Sequence, residues 1–194
     1  MKNLYDMEFF KKSCRPDRLQ SYKVIAEYLY KTFRPKSVID FGCGCGWVLM
    51  FLRNFGVSRV LGLEFSKVAL ELQPDFDIRD SILCKDLRKL RLPTERFDLA
   101  LCIEVAEHIE ETYIDTFVFN ITRSSDVLVF SAAPPGQGGV GHVNEKPWSY
   151  WVEKFLVVKF FEDAQGTNSI QKYFRNNNVK SWYSNNTHVL RRKV

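Results

Sequence analysis

Residues 38–46 read VIDFGCGCG, and no other stretch restricts the fold of this chain as tightly. A short continuous apolar run marks a strand buried on both faces, and the glycines at alternate places after it mark a tight turn whose bare backbone something approaches closely. From Trp47 an apolar stretch follows that Gly56 can stop, so the segment reads strand, glycine turn, helix. The same alternation runs down the chain. SVIDF, RVLGLEF, SILCKD, FDLALCIEV and DVLVFSAA are strand candidates. Between and around them, Arg18–Phe33, SKVALEL, the stretch carrying Ile114, Phe117, Val118 and Ile121, and PWSYWVEKFL carry helical signals. FFEDAQ and THVLRR close the sheet as an antiparallel pair. Strands and helices in alternation predict an α/β fold: a Rossmann-like, mostly parallel, seven-stranded sheet with helices on both faces. With 194 residues and no repeat or low-complexity linker, the expectation is one domain over 1–194. Residues 1–15, with Tyr5, Phe9 and Phe10, form a candidate lid.

Composition narrows the class. No apolar run approaches the roughly 18–20 residues that span a bilayer, and the charged start, MKNLYDMEFFKKSCRPDR, is unlike a signal peptide. No membrane insertion and a cytoplasmic location are the expectations. Five cysteines form no Cys-x-x-Cys pair, and the odd count argues against a disulfide framework. The net charge of +5 gathers locally in KDLRKLRLPTER and the terminal RRK, which read as a solvated face or as a phosphate or nucleic-acid contact.

Glycine turns of this kind serve dinucleotides and S-adenosylmethionine (SAM). A dinucleotide site asks for G-x-G-x-x-G and no acid beside the diphosphate. Here Gly42, Gly44 and Gly46 are spaced G-x-G-x-G, and Asp40 precedes them. A carboxylate repels diphosphate and attracts the ammonium and sulfonium of SAM, so the acid favours SAM. Glu64 ends the second strand, where it can accept from both hydroxyls of a ribose. Asp86, after the third strand, is placed either to accept from an adenine amine, with the N–H of Leu87 facing the ring, or to cap a helix.

Taken together, these residues resemble the class I SAM-dependent methyltransferases over nearly the whole chain. VIDFGCGCG is similar to their first motif, LGLEF to their ribose-binding strand end and FDLALCIEVAEHI to their fourth strand. YDMEFF, FSAAPPGQGGVGHVNEKPWSYW and SWYSNN further resemble small bacterial and phage-type methyltransferase-domain proteins, whose acceptors are mostly unassigned. Cys45 departs from the pattern, where a small hydroxyl residue is common. The resemblance implies SAM as methyl donor and S-adenosylhomocysteine (SAH) as its product. It also implies donor contacts from Asp40, Gly42, Cys43, Gly44, Gly46, Glu64, Phe65, Asp86, Leu87, Ile103 and Glu104.

The acceptor is less legible. The place where exocyclic-amine methylation shows Asn- or Asp-Pro-Pro-aromatic reads IEVAEH, and no Pro-Cys nucleophile stands there for carbon methylation. A hydroxyl acceptor needs a base or a metal ion. Glu107, His108 and His142 are the catalytic candidates, with Glu104 nearby. Glu-x-x-Glu-His with a later His resembles the metal site of small-RNA 2′-O-methyltransferases and of some quinone-pathway O-methyltransferases, so a divalent ion is one expectation and a metal-free base another. The long glycine-rich loop around His142, followed by Trp148, Tyr150 and Trp151, suits an acceptor pocket for a small molecule or glycan. RNA 2′-O-methylation and a non-catalytic SAM-binding partner stay open as alternatives. His188, in a terminal strand, reads as structural.

Overall fold

The computed structural model describes residues 6–73, 76–89 and 95–193, so Tyr5 and the middle of the basic segment lie outside the described residues. Seven strands form one sheet: β1 (Ser37–Phe41), β2 (Arg59–Glu64), β3 (Ile82–Cys84), β4 (Leu99–Ile103), β5 (Val127–Ser131), β6 (Phe160–Glu162) and β7 (His188–Arg192). Their order is β3-β2-β1-β4-β5-β7-β6. β1 pairs in parallel with β2 and β4, β2 with β3, and β4 with β5, while β7 runs antiparallel to both β5 and β6. The expected terminal pair is therefore present, and β7 is the reversed strand.

Each strand feeds two cores because successive side chains point to opposite faces. Ile39, Phe41, Ala100, Cys102, Leu128 and Phe130 enter one, together with Phe117 and Ile121 of α5 (Ile114–Thr122) and Trp151 and Phe155 of α6 (Trp148–Val157). Val38, Leu99, Leu101, Val129 and Val189 enter the other. There they meet Ile25 and Leu29 of α2 (Pro16–Phe33), Leu49 and Leu52 of α3 (Trp47–Phe55), Phe174 of α7 (Ala164–Asn176) and Tyr183 of α8 (Ser181–Asn186). Each fully buried leucine contributes about 1.5–3 kcal/mol by leaving water. Both faces are thus covered, which is why the strands read as unbroken apolar runs.

α3 follows the glycine turn directly and stops where expected: Gly56, at φ 110°, takes the left-handed position, and its amide donates back to Arg53 and Leu52. α1 (Met7–Ser13) and α4 (Lys67–Glu71) form a third packing unit. Phe10 and Ala69 bury against Cys45 of the glycine turn, with Cys14 and Trp47 beside them. Two differences from the sequence expectation stand out. FFEDAQ is strand only to Glu162, because Asp163 caps a further helix, α7, by accepting from the Gly166 amide at 2.9 Å. SWYSNN is α8.

The direction of winding reverses at β1: β2 and β3 lie on one side, β4 and β5 on the other. Ligands of open α/β sheets bind outside the strand carboxyl ends at such a switch point. Asp40 and Glu104 flank it.

Candidate active site

The donor side is built on the β1 turn. Gly42 and Gly44 hold φ of 78° and 55°, a region that costs other residues strain. They are glycine for different reasons. A Cβ on Gly42 would strike Val105 Cγ2 at 2.5 Å, whereas one on Gly44 would meet nothing within 4 Å. Gly44 therefore presents bare backbone to open space. Its amide donates to Glu64 Oε2 at 2.9 Å, and Ser66 N–H donates to Oε1 at 2.7 Å, so the carboxylate at the tip of β2 is locked onto the turn. Burial raises the pKa of Glu64 despite these bonds.

Asp40 is buried, and among the described residues no donor reaches its carboxylate. Burial, and secondarily the charge of Glu64, pushes its pKa up to about 7. A buried carboxylate without a partner is costly unless a cation arrives to meet it. Cys43 packs its thiol against Gly62, where a Cβ would lie 2.6 Å from Sγ. Phe65 is 60% exposed just beyond β2.

Asp86, just after β3, pairs with Arg88. Both its oxygens are taken by the Arg88 guanidinium, at 2.9 and 3.0 Å, and Arg88 N–H also donates to Oδ1 at 3.0 Å. Those bonds hold its carboxyl below the usual range. Arg88 is pinned from the other side by Glu110 at 3.1 Å and stands over the rings of Phe65 and Tyr113. Leu87 is buried in the core, and its carbonyl accepts from Asn120 at 3.0 Å.

On the acceptor side, Ile103 ends β4 and Glu104 turns the chain at φ 55°. The Glu104 amide donates to Ser131 Oγ at 3.0 Å, and its Oε2 accepts from Gln137 Nε2 at 3.0 Å. Gln137 Oε1 in turn accepts from Asn186 at 2.7 Å. A single 3-10 turn, Ala106–His108, then carries Glu107 inward. Glu107 is fully buried, and neither carboxylate oxygen closes a hydrogen bond of good geometry, although the Ala133 amide and the Glu104 carboxyl are close. Burial first, then Glu104, raises its pKa well above the ordinary value.

His142 arrives from the glycine-rich loop. A carboxylate can only accept, so its Nδ1–H donates to Glu145 Oε1, 2.7 Å away, and Nε2 is left 4.0 Å from Glu107 Oε1. Glu145 also accepts from the amides of Gly136 and Gly138, at 2.8 and 2.7 Å. The Glu107 carbonyl accepts from Val143 and Asn144 N–H at 2.9 and 3.0 Å, tying the same loop to the 3-10 turn. The His108 ring lies edge-on to His142 at 4.9 Å, and burial holds its pKa below the ordinary value. Glu107, His108 and His142 each offer a ligand atom, all within 4.8 Å of one another.

Comparison with known proteins points the same way. Residues 39–124 match the methyltransferase domain family. Over 96% of its length the chain is 25% identical to the mitochondrial ubiquinone biosynthesis O-methyltransferase of Dictyostelium discoideum, of which it covers 60%. Two solved structures share the fold. The magnesium protoporphyrin IX methyltransferase of Synechocystis with bound SAM is 16% identical, with a TM-score of 0.64 over 99% of this chain and 89% of that one. The mitomycin 7-O-methyltransferase is 14% identical, with a TM-score of 0.68 over 99% of this chain and 59% of that one. Residues 39–124 thus match a methyltransferase domain, and the chain has the fold of the SAM-dependent methyltransferases. It spans less than two thirds of the curated relatives it matches.

Within this methyltransferase fold, the structure gathers the donor candidates Asp40, Gly42, Cys43, Gly44, Gly46 and Glu64 around one turn, and the acceptor candidates Glu104, Glu107, His108 and His142 around the next strand tip. Trp151 is core, whereas Trp148 and Tyr150 are half-buried. His188 stacks flat on Trp148 at 3.5 Å and bonds Glu162 at 2.7 Å. Glu145, Gln137 and Asn186 were not anticipated. Only Glu145 left a trace in the sequence, an acid three residues after His142 in a loop otherwise poor in charge.

Proposed function

We propose that the chain transfers the methyl of SAM to a hydroxyl of a small-molecule or glycan-type acceptor. The donor half rests on the bare Gly44 backbone flanked by Asp40 and Glu64. In this reading Asp40 meets the ammonium of the amino-acid tail, and Glu64, released from the Gly44 amide, accepts from the ribose hydroxyls. The single observation that carries the oxygen-directed half is Glu107, fully buried with neither oxygen closing a hydrogen bond of good geometry, facing His142 Nε2 at 4.0 Å.

Transfer is an in-line displacement: the methyl–sulfur bond breaks as the methyl–oxygen bond forms, leaving SAH, and the hydroxyl proton must depart. His142 Nε2 is placed to take it, with Glu145 fixing the opposite ring nitrogen as the donor. Holding the hydroxyl at attack distance supplies the larger part, about 7–11 kcal/mol at best. The residues also fit a divalent ion, because neither Glu107 oxygen closes a hydrogen bond of good geometry and a ring nitrogen of each histidine lies within 4.8 Å of it. Glu107, His108 and His142 would hold such an ion, which would supply Lewis-acid activation of the acceptor hydroxyl. α1, packed on the glycine turn through Phe10 and Cys45, serves as a lid over the donor.

A nucleic-acid acceptor finds less support. Arg59, Arg88, Arg96 and Arg192 are each engaged by a carboxylate. The test is calorimetric titration with SAM and SAH, followed by transfer of radiolabelled methyl to hydroxylated compounds with and without a chelator. Heat on adding SAM and label on oxygen are expected. Well-folded protein giving no heat with either molecule refutes the donor site, and label found only on nitrogen or carbon refutes the oxygen-directed reading.

A further inference from the structure

A cavity of about 310 Å³ opens beyond the carboxyl end of β5, between the segment that leaves that strand at Ala132 and Pro134, the start of α6, and the α8–β7 junction. We propose that this cavity seats the acceptor ring and selects a single hydroxylated ring bearing an anionic substituent, which Lys146 meets. The proposal rests on the methyl-transfer reading and deepens it.

Size, wall and charge carry the inference. The volume lies at the low end for small-molecule pockets, roughly 300–1,000 Å³, so one substituted ring fills it and a polymer does not. One wall is the Trp148–His188 pair, stacked at 3.5 Å and within 9° of parallel. Both rings are fixed by one carboxylate: Glu162 accepts from Trp148 Nε1 at 3.1 Å and from His188 Nδ1 at 2.7 Å. Behind them Trp151 and Phe130 pack with ring centres 5.2 Å apart, so the wall is rigid before any ligand arrives. Flat, pre-set aromatic surface favours a flat or chair-shaped ring over a flexible chain.

Among the described residues no carboxylate lines the cavity, whereas Lys146 does, together with Asn185 and Asn186. A cationic acceptor such as an amine or guanidinium therefore meets the Lys146 ammonium in the lining, with Glu111 and Glu162 already bonded to lining residues, while a carboxylate or phosphate finds a counter-charge. Lys146 at present lies 3.0 Å from Glu111, and that half-exposed pair is weak enough for an incoming anion to compete with. The cavity also points at the chemistry. Asn186, on its wall, donates to Gln137, which donates to Glu104 beside Glu107. The same hydrogen-bonded chain thus connects the cavity wall to the β4 tip.

The test uses charge-matched probes with the full chain, with and without SAH: 3-hydroxybenzoate against 3-hydroxybenzylamine, and glucuronate against glucosamine. Binding is read by calorimetric titration of each probe. The anionic member of at least one pair should bind about tenfold tighter than its cationic partner. Lys146→Gln should erase that difference, and Trp148→Ala should weaken the anionic probe, both leaving SAH affinity unchanged by calorimetry. Which pair responds distinguishes a phenolic from a sugar source. Equal binding within both pairs, no binding of any probe, or a difference that survives Lys146→Gln overturns the proposal. Failure of SAH to bind is a separate result that sinks the donor reading.

Discussion

Asp40→Asn should make the empty protein more stable at pH 8 and at the same time weaken its hold on SAM. Asp40 is buried, no described donor reaches it, and its pKa is pushed up from 3.8 to about 7. A carboxyl with a raised folded-state pKa holds its proton more tightly in the folded chain than in the unfolded one. Its contribution to stability is therefore complete below pH 3.8 and is lost as pH climbs through 7. For a pKa that moves from 3.8 to about 7, the loss is about 4 kcal/mol in going from pH 4 to pH 8. Asparagine carries no such charge but leaves a buried amide to satisfy, at a cost of about 1–3 kcal/mol that does not vary with pH.

The stability difference between the two proteins should consequently swing by about 4 kcal/mol between pH 4 and pH 8, with the variant gaining at the alkaline end. Urea denaturation of ligand-free protein at several pH values measures this directly, and subtracting one protein from the other cancels every other titrating group. In the same samples, SAM should bind the variant more weakly by about 1.5–3 kcal/mol, the worth of a charge-assisted hydrogen bond. A stability difference that stays flat from pH 4 to pH 8 would refute the account of Asp40 as a carboxylate kept bare. Unchanged SAM affinity would remove its role toward the ammonium.

Three further outcomes are expected. Gly44→Val fills the open space beside the turn and strains φ at 55°; it should abolish measurable SAM binding while costing only about 1–3 kcal/mol of stability, and retained affinity in a calorimetric titration would show the cleft to be elsewhere. Glu145→Gln removes the charge that orients His142, so turnover should fall about 10–100-fold with SAH affinity intact; full turnover would take Glu145 out of the mechanism. If α1 closes over the donor, SAM should protect residues 1–15 from protease, and cleavage indifferent to SAM would leave the segment as packing only.

What the sequence revealed follows from the range of the interactions concerned. The strands and the β1 turn were legible because burial on both faces leaves an unbroken apolar run, and alternate glycines leave their own mark. α7 was not, since Gly166, Thr167 and Asn168 open it and only Thr167, Ile170 and Phe174 are buried along its length. Asp86 could be read either as an adenine contact or as a cap, and Arg88, two residues away, settles where its oxygens go. Glu145 left only its place three residues after His142, and its role shows once two glycine amides and that histidine converge on it in the folded loop. The Trp148–His188 wall likewise joins residues brought together by the return of β7 into the sheet.

The distribution of charge partners bears on function as directly as any single contact. The chain has 28 lysines and arginines for 23 acids, so cations are not scarce. At the surface they are spent on acids freely, as in Arg88–Asp86, Arg96–Asp126 and Arg191–Asp163. Yet Asp40, Glu64, Glu104 and Glu107, all raised in pKa by burial, form no ion pair with lysine or arginine among the described residues. Neutral side chains of similar shape at these four places would be less costly to bury. A fold that keeps four acids at the carboxyl edge of its sheet and withholds its own cations from them is built for cations from outside. In the proposed reading the ammonium of SAM would meet that requirement at Asp40 on β1, and a divalent ion at Glu107 would meet it at β4.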